Sequence, residues 1–133
     1  MEGDAPVLIV LDTDVLIKIL NKKSLQGQEI YERLEKNGGH FGITSITLYE
    51  TLHFFMKMKM KTPPIHLLQV YGFSKQDAQK AAELEIELEK REVKAKATVL
   101  IISSIVMNKG ASLCSLNENF NELKSVGLKL FLE

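Results

Sequence analysis

Leu8-Ile9-Val10-Leu11-Asp12-Thr13-Asp14-Val15-Leu16-Ile17 is the stretch on which the reading of the fold turns. Apolar residues run unbroken from Val7 to Leu11, with no polar alternation. A strand with one wet face alternates, so an unbroken run reads as a strand buried on both faces, the central strand of a parallel sheet. The run stops at two carboxylates, Asp12 and Asp14, before apolar character resumes on a helix. In open α/β sheets ligands bind in the crevice beyond the carboxyl ends of the strands, and Asp12 stands at such an end. A carboxylate buried there needs a partner, and a cation is a natural one. The plainer reading is that Asp12 or Asp14 caps the helix that follows, because Asp is a favoured N-cap. The sequence leaves both open.

Helices and strands alternate on either side of this stretch. After a short leader over residues 1–6, the pattern predicts a strand over 7–11 and helices over 14–20 and 25–36. Ser24 is placed to cap the second helix, and Asn37-Gly38-Gly39 to stop it. A strand over 40–44 and an apolar helix over 45–60 follow, broken by Pro63-Pro64. A third strand is expected over 65–71. Ser74 and Asp77 have capping-box spacing at the start of a helix over 75–91. A further helix over 97–108, a strand over 111–115, a short helix over 119–124 and a last strand over 128–132 complete the chain. Such alternation predicts an α/β fold, a parallel sheet with helices on both faces. The 133 residues suit one domain, spanning 1–133.

Composition bounds the function. Lys plus Arg equals Asp plus Glu, 17 each, so bulk charge does not call for nucleic acid. The one cysteine, Cys114, has no partner for an internal disulfide and sits in an apolar run, which suits a buried thiol in a reducing compartment. No secretory signal precedes the first strand, and the apolar run 99–107, broken by Ser103 and Ser104, is too short to span a bilayer. We therefore expect a cytoplasmic protein with no membrane partner.

A second acid, Glu50, follows the second strand by about one helical turn, near the same sheet edge as Asp12. It is the only acid between Glu35 and Asp77. Thr47 and Glu50 also have capping-box spacing, which offers Glu50 a purely structural role. From Thr51 to Gln76 there are four lysines and no acid; Lys57, Lys59 and Lys61 could follow an RNA backbone, or be a solvated helix end that favours cations. His40, His53 and His66 show no ligand spacing and read as structural, His53 standing nearest the acid.

The ordered set of pieces resembles PIN-domain ribonucleases of the VapC toxin class. These pieces are Leu11-Asp12-Thr13-Asp14-Val15-Leu16-Ile17, Ser45-Ile46-Thr47-Leu48-Tyr49-Glu50 and Leu100-Ile101-Ile102-Ser103-Ser104. They continue with Gly110-Ala111-Ser112-Leu113-Cys114-Ser115-Leu116-Asn117-Glu118-Asn119-Phe120 and the ending Gly127-Leu128-Lys129-Leu130. The resemblance implies a five-stranded parallel sheet in an α/β/α sandwich and cleavage of RNA at a cluster of acids holding Mg²⁺ or Mn²⁺. It places Asp12 and Glu50 as the first two acids and Asn117 at the fourth position; beside them Asp14 is a candidate further metal ligand and Ser115 a candidate RNA contact. A cognate antitoxin and a homodimer are the partners it implies. The third acid is expected just before Leu100, where this chain has Lys96-Ala97-Thr98-Val99. Two acids can hold one Mg²⁺ with waters and phosphates, whereas a two-metal site needs more negative charge, so weak metal binding is expected. Asn117 and Thr98 offer only neutral oxygens.

Two other readings compete. A chain short of an acid suits a depleted PIN domain that binds RNA or an antitoxin without cutting. Asp12-Thr13-Asp14 after an apolar strand also resembles the nucleophile motif of haloacid-dehalogenase-type phosphatases, in which the first Asp attacks phosphorus. That family needs a late acidic pair, and the segment 112–120 offers only Glu118.

Overall fold

The computed structural model describes residues 7–132; the leader over residues 1–6 lies outside them. Four short parallel strands form the sheet: β1 (Ile9–Leu11), β2 (Phe41–Thr44), β3 (Val70–Tyr71) and β4 (Ser112–Cys114), in the order β3-β2-β1-β4. The helices are α1 (Thr13–Leu20), α2 (Leu25–Lys36), α3 (Ser45–Lys57), α4 (Lys75–Lys90) and α5 (Ala97–Asn108). Among the described residues no helix is long and apolar enough to cross a membrane.

β1 is central, as its composition demands. Ile9, Val10 and Leu11 are each at most 2% exposed. Successive side chains point to opposite faces, so each face receives its own core. Val10 and Leu113 pack with Leu84, Leu88, Leu100 and Phe120 beneath α4 and α5. Ile9, Leu11 and Cys114 pack with Val15, Leu16, Ile30 and Leu34 beneath α1 and α2. This is the helix–sheet–helix sandwich that the alternating pattern implies.

The strand ends are aligned. Leu11 pairs with Ile43 of β2 on one side and with Cys114 of β4 on the other. Asp12, Thr44 and Ser115 therefore stand side by side at the carboxyl edge. The strand order reverses at β1, with β2 and β3 to one side and β4 to the other. A crevice opens at such a reversal, which is where α/β sheets bind ligands.

Three predicted elements differ. The strand expected over 65–71 is a 3-10 turn at Ile65–Leu67 followed by the two-residue β3. Pro63 and Pro64 supply no backbone N–H, so the chain enters as a turn and reaches the sheet late. The short helix expected over 119–124 is a longer 3-10 stretch, Glu118–Val126, ended by Gly127 at φ +113°. The fifth strand is a single parallel bridge, Leu113 to Leu130, so the sheet has four strands rather than five. Leu113 still donates to the Lys129 carbonyl and accepts from the Phe131 amide at 2.8 Å each.

Helix α1 carries the two aspartates at its N-terminus, and α2 holds it in place through a close approach at Gly27. A Cβ at Gly27 would lie 2.1 Å from the Lys18 carbonyl oxygen. Gly27→Ala must therefore push the two helices apart. We expect a loss of about 2–3 kcal/mol, in the range of overpacked cores, read as a lower urea midpoint with an unchanged slope.

Candidate active site

Each acid owes its place to local chain geometry. Asp12 occupies the N-cap of α1 and its Oδ1 accepts from the Thr13 amide at 2.9 Å. The capping reading is thus correct for position, yet it uses only one oxygen. Oδ2 accepts from the Ser115 hydroxyl at 2.7 Å, across a sequence gap of 103 residues. Ser115 in turn accepts from the Asn117 amide at 3.0 Å, which leaves its single proton directed at Asp12. Asp12 is 6% exposed. Burial raises its pKa to about 6, opposed by the Ser115 hydrogen bond and supported by the charge of Asp14; the Thr13 amide lowers it and Glu50 raises it.

Glu50 comes from α3. That helix is capped by Thr44, whose hydroxyl accepts from the Thr47 amide at 3.2 Å. The capping box suggested by Thr47 and Glu50 does not form, because the helix begins at Ser45 and position 50 is already interior. Glu50 accepts instead from the Thr13 hydroxyl, which lies 3.4 Å from the Thr47 hydroxyl. Thr13, between the two aspartates in sequence, thus anchors the acid of another helix. Thr47, Thr51 and Phe55 form the buried stripe of α3. Glu50, Phe54 and Lys57 form the next stripe at i, i+4 and i+7, and it borders a cleft of roughly 770 Å³.

That cleft brings Asp12, Asp14, Glu50 and Asn117 together and is also lined by Thr98 and Val99 of α5. Lys57 lies on its border; Lys59 and Lys61 are exposed beyond the end of α3 and do not line it. Ser115 touches Asp12 and acts as its positioning partner. Both oxygens of Asp14 are engaged by the backbone: Oδ1 accepts from the Val15 amide at 2.7 Å and Oδ2 from the Leu116 amide at 3.2 Å. Its pKa is raised, chiefly by burial, and those two amides moderate the rise. It staples the loop after β4 to the start of α1. Asn117 caps the 3-10 stretch, with Oδ1 accepting from the Asn119 amide at 2.9 Å, so its oxygen is already engaged.

Thr13, Tyr49 and Phe54, and His53, which the sequence presents as structural, also line the cleft. Tyr49 and His53 flank Glu50 at i−1 and i+3 and line the cleft, a spacing that could have marked them. Cys114 is fully buried and its thiol is pushed up to about 12 by burial, which removes it as a nucleophile.

Among the described residues no three Asp, Glu, His or Cys side chains group as a metal cluster, and the ion pair found is Arg91–Glu87, neither of which lines the cleft. A buried Asp12 beside a second carboxylate, without a lysine or arginine paired to either, is a donor set short of positive charge. With waters completing the shell it fits one hard divalent cation. It does not fit two, since Thr98 and Val99 supply no charge.

Ser115→Ala would remove the proton directed at Asp12. The Asp12 pKa is expected to rise further, so Mn²⁺ binding near pH 6.5 should weaken several-fold while stability falls by about 1 kcal/mol. Metal titrations at pH 6.5 and pH 8 check this, because the affinity gap should narrow at the higher pH.

No family model and no curated protein matches the sequence. Solved structures do. A chain of VapBC2 from Rickettsia felis, in a structure bound to a DNA fragment from their promoter, is 27% identical; the match covers 93% of this chain and 97% of that one, at a TM-score of 0.74. VapBC-1 from nontypeable Haemophilus influenzae matches at 17% identity and TM-score 0.71, over 93% and 96% of the two chains. DNA-bound VapBC from Salmonella typhimurium matches at 23% and 0.67, over 94% and 97%.

Proposed function

We propose that this chain, which has the PIN-domain fold of the VapC toxins, is an endoribonuclease that depends on Mg²⁺ or Mn²⁺. One observation supports it above the others: Asp12, buried at the strand-order reversal and raised to a pKa of about 6, shares its cleft with Glu50 and, among the described residues, is paired with no lysine or arginine. Asp12 and Glu50 would hold the ion. Bound there, such an ion polarises a phosphoryl oxygen and lowers the pKa of a bound water. Ser115 keeps Asp12 oriented, and Thr13 holds the Glu50 carboxylate toward it. Lys57 at the border supplies positive charge for a phosphate backbone. Deprotonation of Asp12 favours the ion, so metal affinity should rise from pH 5 to about pH 7 and then level off.

The test is cleavage of single-stranded RNA by purified protein with Mg²⁺ or Mn²⁺ and with chelator. Cleavage that requires the ion supports the reading; none with either ion refutes it. One observation favours a second reading, a domain that binds without cutting: the neutral Thr98–Val99 wall where a third acid is expected. The phosphatase reading gains no support, since Glu118 is exposed and absent from the cleft.

The matched structures are toxin–antitoxin complexes, which supports a cognate antitoxin as partner. A homodimer is the further expectation. Met56 of α3 and Met58 and Met60 of its extension are each more than half exposed, more apolar surface than one core uses. Light scattering of the purified chain, alone and with its antitoxin, checks both.

A further inference from the structure

We propose that Tyr49 and His53 form a stacking platform for an unpaired base of single-stranded RNA, one helical turn from the acidic pole of the cleft. The proposal rests on the ribonuclease reading and gives its substrate a register.

Burial does not explain Tyr49, which is 67% exposed. Its ring lies nearly parallel to that of His53, at 23° with centroids 6.4 Å apart. Both rings line the same cleft that holds Asp12 and Glu50. Every base has a π face, so aromatic rings of this kind take single strands with little regard to sequence. Lys57 follows His53 by four residues on the same helix, as His53 follows Tyr49. Each step is about 6 Å along the axis, the scale of one nucleotide in an unstacked strand. Two aromatics and then a cation therefore match a base and the phosphate beyond it.

Charge selects the same ligand. No Asp or Glu occurs between Thr51 and Gln76, while Lys57, Lys59, Lys61 and Lys75 do. A strand drawn along this acid-free segment would meet the aromatic pair before the acids. Lys57 is the one lysine or arginine among the described residues that line the cleft, so no second cation competes for the strand. A duplex would present no free base face to the rings, so the platform discriminates against it.

The test is binding without cleavage. Fluorescence anisotropy in EDTA would compare a short labelled single-stranded RNA, its abasic ribose-phosphate counterpart and the duplex. Tyr49→Ala and His53→Ala should each weaken single-strand binding roughly 5- to 100-fold. Tyr49→Phe should bind like wild type, and Tyr31→Ala, an exposed aromatic on α2 outside the cleft, should change nothing. The abasic strand should bind weakly and equally to all variants. Equal wild-type binding of base-bearing and abasic strands, no binding of RNA by wild type, or Tyr49→Ala binding like wild type would each overturn the proposal. So would variants that change self-association but not RNA affinity, which would make this face a protein interface. Wild type that binds as expected but cuts nothing with Mn²⁺ removes the nuclease reading and leaves the platform standing. Metal-dependent cutting with unchanged binding by Tyr49→Ala does the reverse.

Discussion

Asp12→Asn is expected to lower metal-dependent RNA cleavage at least about a hundred-fold and, at the same time, to make the folded chain more stable at pH 7.5. The first effect follows from charge. The substitution keeps the shape of the side chain, and Asn can still meet Thr13 and Ser115, but the carboxylate that would anchor the ion is gone. Outer-shell partners of metal ligands are already worth ten- to a hundred-fold, so a ligand itself should exceed that. The second effect follows from linkage. The Asp12 pKa is raised from 3.8 to about 6 in the folded chain. The folded state therefore binds the proton more tightly than the unfolded one. That favourable contribution is complete below about pH 4 and is lost as pH rises through about 6. Above pH 6 the wild type carries a buried charge that costs up to about 3 kcal/mol, at 1.36 kcal/mol per pH unit of separation. Asn carries none. Thermal melts without metal should show the variant several degrees above wild type at pH 7.5 and level with it at pH 4. Saturating Mn²⁺ should raise the wild-type midpoint and leave that of the variant unmoved.

Thr98→Asp is expected to tighten Mn²⁺ binding at least about ten-fold and to raise the cleavage rate, whereas Val99→Asp should unfold much of the protein. The two positions are neighbours in sequence but not in environment. Thr98 is exposed, lines the cleft and lies in the first turn of α5, where an acid also complements the helix dipole. Val99 is 3% exposed and packs in the core beneath α4 and α5. A carboxylate there loses apolar contacts and buries an unpaired charge, together about 3–5 kcal/mol, a large share of the stability of a chain this size. Metal titration and chemical denaturation of both variants separate the outcomes. A Thr98→Asp protein that binds Mn²⁺ no better than wild type would show that position 98 is too far from Asp12 to share an ion.

The β1 run announced itself because burial on both faces forbids polar alternation. Ser24, Gly38-Gly39 and the Ser74–Asp77 capping box likewise marked helix ends through local hydrogen bonds, and all three appear as read. What the sequence concealed was non-local. That Thr13 would bind Glu50 depends on a contact across 37 residues, and that Ser115 would bind Asp12 on one across 103. Local spacing pointed Glu50 to Thr47 instead, because capping-box spacing says nothing about where the helix begins. For Asp14 the sequence left capping and metal binding open; that the loop after β4 folds back to offer it the Leu116 amide is not written in local spacing. The late strands misled for a related reason. Residues 65–71 and 128–132 have strand composition, but edge positions in a sheet are decided by the turns that deliver them.

Isothermal titration of Mn²⁺ into wild type and Asp12→Asn at pH 7.5 bears most directly on the site itself. One ion should bind per chain in wild type, with protons released as the pH is lowered toward 6, and the ion should be lost in Asp12→Asn. No binding to wild type, two ions per chain, or an ion retained by Asp12→Asn would contradict the account.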